Sequence, residues 1–494
     1  MISQHLPVLL VALPLIAAPI CVLLRRPALA WSFATLVSWA LLAISILLLI
    51  RVLEEGIISY HLGGWAPPFG IEYRLDAVNG FVLLVITAVA AVVLPYARLS
   101  VASEIAAPRH NLFYAVFLLA LTGLLGITAT GDIFNIYVFM EISSLASYVL
   151  IALGPSRRAR AAAFQYLIMG TIGATFLLIG IGLLYMMTGT LNLADLSVRI
   201  ADAPDMRPIH AAFAFITIGV LIKLALFPLH LWLPNAYTYA PSAVSAFLAA
   251  SATKVGAYVL LRFVFTLFGQ EFSFERMPLM EILMPLSLIA ILVGSGVAIF
   301  QTDLKRLFAY SSIGQIGYLA LGVSFASTSG LTGAIVHIFN HAMMKGGIFL
   351  ALGCIMYRTG ALELSALNGL GRRMPFTMAA LVIGGLGLVG IPATSGFVSK
   401  WYLLQAALEA DLWPVAVIIL LGSLLALVYV GRVIEAAYFR APASDAPAQQ
   451  EAPWQMLAPT WILIAASLYF GVHTEITVGV AERAAHMLLG GSES

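Results

Sequence analysis

The chain is a near-continuous succession of apolar segments long enough to cross a bilayer, and nothing else in it restricts the fold as strongly. About 20 apolar residues span the hydrocarbon as helix, and backbone in lipid has to satisfy its own hydrogen bonds, which favours helices for segments of this length. Fourteen can be drawn, at approximately 5–24, 29–50, 76–97, 112–130, 133–153, 161–187, 211–229, 241–268, 279–301, 306–325, 330–356, 375–408, 413–439 and 455–473. The expected fold class is therefore all-α, a polytopic membrane protein with about 14 transmembrane helices. Composition agrees, with 62% hydrophobic and 10% charged residues against ~25% charged in soluble domains. A length that would suggest about three soluble domains is read as one integral membrane domain, 1–494. The net charge of +2, with no basic run interleaved with aromatics, points away from nucleic acid and leaves the bilayer as the surroundings.

Two spans are interrupted. The seventh breaks at Pro228 and Pro234 around His230, and the twelfth contains Gly384, Gly385, Gly387, Gly390, Pro392 and Gly396. Such breaks are tolerated in a membrane only where protein or a wet cavity receives the freed backbone groups, and in transporters they lie on ion paths. Cys21 and Cys354 are far apart in apolar segments with no CxxC or Cys/His grouping, and read as core packing. The first 24 residues lack Lys and Arg, so the charged region of a cleavable signal is missing and residues 5–24 are read as the first span.

Counting cations on alternate connections gives fourteen on one side, among them Arg25, Arg26, Arg157, Arg158, Arg160, Arg372 and Arg373. The other side has seven, among them Arg51, Arg74, Arg199 and Arg262. The positive-inside bias then places the first side in the cytoplasm, with both termini and Glu72 outside, in a bacterial inner membrane. The longest polar connections are 51–75, 188–210 and 440–454, the last read as a flexible cytoplasmic loop.

Of five lysines, Lys223, Lys254, Lys345 and Lys400 sit inside apolar segments; the fifth is Lys305. The arginines lie nearly all at segment ends, where a permanent cation can stay in water. Lysine surrenders its proton when desolvated and arginine does not, so this partition suggests groups that bind and release protons within the membrane. Glu141, mid-span in IYVFMEISSLASYVL, is costly alone at that depth, and Lys223 is its expected cationic partner. A static pair fastening two helices is the alternative. Lys254 lies too far from either end of its span to snorkel to a headgroup. Lys400 follows the glycine-rich break, where unwound backbone and Ser399 could hydrate it. In AIVHIFNHAMMKGGIFLALG, His337, His341 and Lys345 are spaced by four along one helix face, with Asn340 beside them. The histidine spacing is shared by metal sites, yet neither an HExxH glutamate nor a nearby third ligand accompanies it, so no metal is assigned. Nothing in the chain suggests a site for flavin or nicotinamide, and no cofactor is expected.

These residues also carry a resemblance. GDIFNIYVFMEISSLASYVLI at 131–151, KLALFPLHLWLPNAYTYAPSAVSAFLAASATKVGAYVL at 223–260, DLKRLFAYSSIGQIGY at 303–318 and HIFNHAMMKGGIFLALG at 337–353 resemble the proton-pumping antiporter-like family. Its members are large membrane subunits of Mrp cation/proton antiporters, respiratory complex I and membrane-bound hydrogenases. The wording at 131–142 is most similar to the D-type subunits of Mrp antiporters and their close relatives in hydrogenase complexes. The resemblance implies two inverted five-helix repeats, helices 4–8 and 9–13, with helices 7 and 12 broken. Residues 1–111 would then hold helices 1–3, 112–268 the first repeat, 279–439 the second, and 440–494 a loop and the last helix. It also implies that Glu141, Lys223, Lys254, His337, His341, Lys345 and Lys400 form a proton path.

The expected function is that of a subunit in a multisubunit Na+/H+ antiporter. Expected partners are a larger homologous A-type subunit, a small C-type subunit, protons and a monovalent cation. The alternatives are a pumping subunit of a redox-driven complex and a scaffold whose charges only hold helices. Lysine at position 400 argues against the M-type complex I subunit, while an N-type subunit stays open.

Overall fold

The structure is a computed structural model that describes residues 2–441 and 450–490. Two antiparallel helices, α1 (Leu6–Leu23) and α2 (Pro27–Glu55), lead to a small hairpin, β1 (Ile58–His61) with β2 (Glu72–Leu75), paired Ile58 to Leu75 and His61 to Glu72. There follow α3 (Ala77–Glu104), α4 (His110–Ala129), α5 (Ile133–Ala152), α6 (Arg157–Thr188), the short α7 (Leu193–Ala201), α8 (Met206–Leu224), α9 (Trp232–Tyr239) and α10 (Ser242–Leu261). The rest of the chain forms α11 (Leu279–Ile299), α12 (Leu304–Ser324), α13 (Thr328–Thr359), α14 (Leu370–Arg373), α15 (Pro375–Val389), α16 (Ser395–Glu409), α17 (Trp413–Ile434), α18 (Trp454–Val472) and α19 (Glu475–Leu488).

Among the described residues, twelve helices are long and apolar enough to cross a membrane. The more polar α12 and the split pair α15–α16 bring the crossings to fourteen, as expected. Helix α10 and the 32-residue α13 are enclosed by the others along their apolar windows, whereas α6 and α18 are only one-third buried there. The centre of the bundle is thus the α10–α13 pair, and those two helices carry Lys254, His337, His341 and Lys345.

The sequence did not disclose the internal symmetry, but the backbone does. Asp132 caps α5 by accepting from the Asn135 N–H at 2.7 Å, and Asp303 caps α12 by accepting from the Arg306 N–H at 2.8 Å. Each cap sits in the same two-bond bridge. Ile133 and Leu193 donate to Leu191 and Gly131, and Leu304 and Leu364 donate to Leu362 and Thr302. Gly123 lets α4 approach Ser143 of α5, and Gly294 lets α11 approach Gly314 of α12; a Cβ at either glycine would collide with the facing backbone nitrogen. The same interval in sequence separates the members of every one of these pairs. Because five crossings, an odd number, intervene, the two bridges lie at opposite membrane faces and the repeats are inverted.

The interrupted helices end alike. Leu226 donates to Leu221 and Ile391 to Leu386, with Ala225 and Gly390 in the left-handed region between. Both are Schellman-type ends that satisfy carbonyls the break would expose. Several expected limits shift. The seventh crossing is α8, ending at Leu224, followed by α9, and the sixth begins at Arg157. The connections 51–75 and 188–210 are not simple loops, since they hold the hairpin and α7, and an amphipathic α19 follows the last crossing. Residues 442–449 of the stretch read as a flexible loop lie outside the described residues. The segment after them is pinned, with Glu451 accepting from the Phe376 N–H at 2.8 Å and its carbonyl accepting from Arg358.

Candidate functional site

Lys223 is the penultimate residue of α8, so the helix break that follows frees its side chain to turn into the bundle. Its ammonium donates to Ser144 Oγ of α5 and to Tyr166 OH at 3.4 Å, and lies 5.5 Å from the Tyr166 ring centre. Glu141 and Lys223 line one small cavity with Ser144, Tyr166 and Trp232. They are not joined as an ion pair within 4.0 Å, and Glu141 is only half-buried. The expected contact is therefore corrected to a shared cavity in which the hydroxyl of Ser144, one turn on from Glu141, takes the lysine. Tyr166 stacks on Trp232 at 3.9 Å, and the Trp232 indole donates to Ile222 O, which fixes the wall of the cavity against the unwound end of α8.

From here the row passes to α10. Gly256 packs against Leu224, where a Cβ would come within 3.2 Å of the backbone, so α8 and α10 are in direct contact beside the two lysines. Lys254 is fully buried; its amine bonds to Ala249 O and, at 3.5 Å, to Thr253 Oγ1. It faces α13 closely enough to interact electrostatically with His337, His341 and Lys345. On α13 the His337 and His341 rings stack at 5.5 Å, and Lys345 donates to Phe308 O at 2.7 Å and to Ser311 Oγ of α12. His337 Nδ1 meets Ser399 Oγ at 2.8 Å, carrying the row to α16. Ser399, expected to hydrate Lys400, thus serves the histidine instead. Lys400 reaches back to the unwound end of α15, donating to Leu388 O at 2.8 Å, Val389 O at 3.0 Å and Ser423 Oγ at 2.9 Å, with the Tyr318 ring 4.7 Å away. All seven expected residues except Glu141 are buried.

Several polar atoms along the row have no hydrogen-bond partner among the described residues: His337 Nε2, both ring nitrogens of His341, Asn340 Oδ1 and Gln315 Oε1. Buried polar groups are nearly always hydrogen-bonded, by protein or by water. The five atoms belong to α12 and α13, and the amide nitrogens of Gln315 and Asn340 donate to Leu388 O at 3.4 Å and Ser395 O at 2.6 Å.

The fold also holds a second kind of buried charge, which the sequence pattern had not marked. Arg262, counted at an interface, is 5% exposed and pairs with Asp76 at 2.5 Å, while its Nε donates to Tyr258 OH at 3.0 Å. The available signals were an acid at the N-cap position of the third span and an arginine two turns beyond Lys254. Glu72 is also buried, accepting from Ser59 at 2.6 Å and Asn192 at 2.7 Å, so it is no marker of an accessible face. Lys305 is buried with its amine on Ala240 O at 2.8 Å.

Residues 130–426 match the model of the NADH:quinone oxidoreductase/Mrp antiporter transmembrane family. The chain belongs to that family. It is 41% identical to the N subunit of the NADH-quinone oxidoreductase of Desulforudis audaxviator, over 96% of this chain and 97% of that protein. It is 30% identical to the D-type subunit of the Na(+)/H(+) antiporter of Bacillus subtilis, over 98% and 97%. Among solved structures, a chain of the Mrp complex from Dietzia sp. superposes with a TM-score of 0.90 at 25% identity, covering 99% of this chain and 98% of that one. The family, and the presence of both antiporter and oxidoreductase subunits in it, agree with the resemblance seen in the sequence.

Proposed function

We propose that this chain is the proton-translocating subunit of a multisubunit monovalent cation/proton antiporter. Protons would move along Glu141, Lys223, Lys254, His337, His341, Lys345 and Lys400 through bridging water. One observation carries the reading. Where the chain buries a permanent cation, Arg262, it supplies a carboxylate at 2.5 Å. Among the described residues, none of the four intramembrane lysines has a carboxylate within 4.0 Å; their amines rest on hydroxyls and carbonyls. Such acceptors serve a neutral amine as well as an ammonium, so each site can hold either form. The partnerless atoms of His337, His341, Asn340 and Gln315 supply acceptors and donors for the water that proton steps need.

Charge coupling would drive the steps. A proton on Lys223 is favoured when the Glu141 carboxylate moves toward it in their shared cavity and disfavoured when the carboxylate withdraws. A proton released toward Lys254 then raises the local positive charge facing His337, His341 and Lys345 and promotes onward transfer to Lys400. In this reading the arginine-rich face is cytoplasmic and both termini lie outside, in a bacterial inner membrane. Partners would be a larger homologous subunit, small membrane subunits and Na+ or another monovalent cation. The chain itself would be a transporter subunit rather than a catalyst.

The 41% identity to an oxidoreductase subunit favours a second reading, in which the same path is driven by electron transfer in separate subunits. Purifying the complex from native membranes and weighing its subunits separates the two. Small antiporter subunits are expected, and iron–sulfur subunits would establish the redox-driven assembly. For the path itself, Glu141→Ala and Lys223→Ala are each expected to abolish proton exchange in a fully assembled complex. Wild-type exchange in either variant at normal abundance would favour the scaffold role.

A further inference from the structure

A groove of about 760 Å³ runs between α2, α3 and α18 on the membrane-facing side of the bundle, away from the lysine row. Its walls include Trp31, Trp39 and Leu42 of α2, Ala91 and Pro95 of α3, and Ala458 and Ile462 of α18. The polar atoms of Trp31, Thr35 and Trp39 in these walls are already engaged. Trp31 donates its indole N–H to Leu94 O at 2.9 Å and Thr35 donates to Trp31 O at 2.8 Å. Pro95 removes the N–H that would have bonded Ala91 O, and the Trp39 indole donates to that carbonyl at 3.1 Å instead. What faces the groove is therefore apolar along most of its length, and the small side chains of Ala91 and Ala458 keep it open.

One end differs. Arg98 is exposed at the mouth, its guanidinium 4.7 Å above the Trp31 ring and in none of the ion pairs of the described residues. Trp454 and Gln455, both exposed, stand beside it at the start of α18, and Arg25 and Arg26 immediately precede α2. This is the arginine-rich end of the bundle. From Trp31 to Leu42 the wall descends eleven residues, about 16 Å at 1.5 Å per residue. Half of a ~30 Å hydrocarbon core is one leaflet.

We infer that the groove is a binding site for an anionic phospholipid of the leaflet on the arginine-rich side, its phosphate on Arg98 and an acyl chain lying along Trp39, Ala91 and Ala458. A cationic mouth at interface depth, an aromatic rim and an apolar trough one leaflet deep match the two poles of that molecule. A protein helix fits less well, since a single charge at one end and internally bonded walls offer it little to recognise.

The test uses the assembled complex in mild detergent, titrated with phosphatidylglycerol or phosphatidylcholine and read by native mass spectrometry. Wild type is expected to retain one phosphatidylglycerol at this site in preference to phosphatidylcholine. Arg98→Gln should lower the retained phosphatidylglycerol about fivefold, as loss of one interfacial cation implies. Ala458→Phe, which fills an exposed part of the trough, should abolish retention of either lipid. Equal retention of both lipids, or unchanged retention in Ala458→Phe, would overturn the assignment. So would efficient cross-linking of Ala458→Cys to another protein in native membranes, which would make the groove a protein interface.

Discussion

The contrast between Arg262 and Lys254 can be turned into a measurement, by comparing Asp76→Asn with Lys254→Met. Asp76 Oδ1 accepts from Val78 N–H at 3.0 Å and Asn79 N–H at 3.1 Å as the cap of α3, and from Arg262 Nη2 at 2.5 Å. Asparagine caps a helix as well as aspartate does, so the substitution removes the charge and little else. Arg262, 5% exposed and unable to release its proton, would be left as an uncompensated buried cation. Breaking a buried pair from one side costs about 3–5 kcal/mol. Lys254→Met instead removes an amine held by Ala249 O and, loosely, by Thr253 at 3.5 Å. Methionine fills nearly the same volume, and the lost hydrogen bond, worth about 1 kcal/mol, is offset by removal of a desolvated polar group. The assay is the thermal inactivation midpoint of the purified complex, with proton flux measured in everted vesicles. Asp76→Asn should lower the midpoint clearly while the complexes that remain folded still transport, and adding Arg262→Met should restore it. Lys254→Met should keep the wild-type midpoint and lose transport. A Lys254→Met complex as unstable as Asp76→Asn, or one that transports normally, would refute the division between a structural arginine and a protonic lysine.

Lys254→Arg should assemble yet transport poorly, because arginine cannot release its proton in the accessible pH range; near-normal flux in everted vesicles would make Lys254 a fixed charge. Gly396→Ala should impair transport more than abundance. A Cβ there would collide with Gly387 O and push α16 off α15, drawing Lys400 from the Leu388 and Val389 carbonyls; unchanged flux would show that this contact is dispensable. For orientation, single cysteines at Arg157 and Arg372 should resist an impermeant thiol reagent in intact cells while one at Phe69 reacts. Phe69 is 96% exposed on the hairpin face, unlike buried Glu72.

The sequence by itself determined the elements and most of the chemistry. Apolar length dictated fourteen crossings because lipid leaves the backbone no other partner, and the clustering of Gly390 with Pro392 and of Pro228 with Pro234 marked the two interruptions, whereas a lone proline such as Pro95 is carried inside a continuous helix. The lysines stood out for a similar reason, since a titratable cation in an apolar run is costly wherever the helix packs. What each lysine touches was not legible. Ser144 rather than Glu141 receives Lys223, Ser399 turns to His337, and Lys400 reaches across a helix break, since these contacts join residues far apart in sequence. Arg262 was misplaced on the surface for want of one distant fact, the position of Asp76. The inverted repeat was hidden because its two halves share only scattered points, the Asp132 and Asp303 caps, the backbone bridges and the close glycine contacts, with little else in common between them. Backbone hydrogen bonding tolerates almost any sequence between such points, so only the tertiary structure decided which buried charges are paired and which stay unpaired.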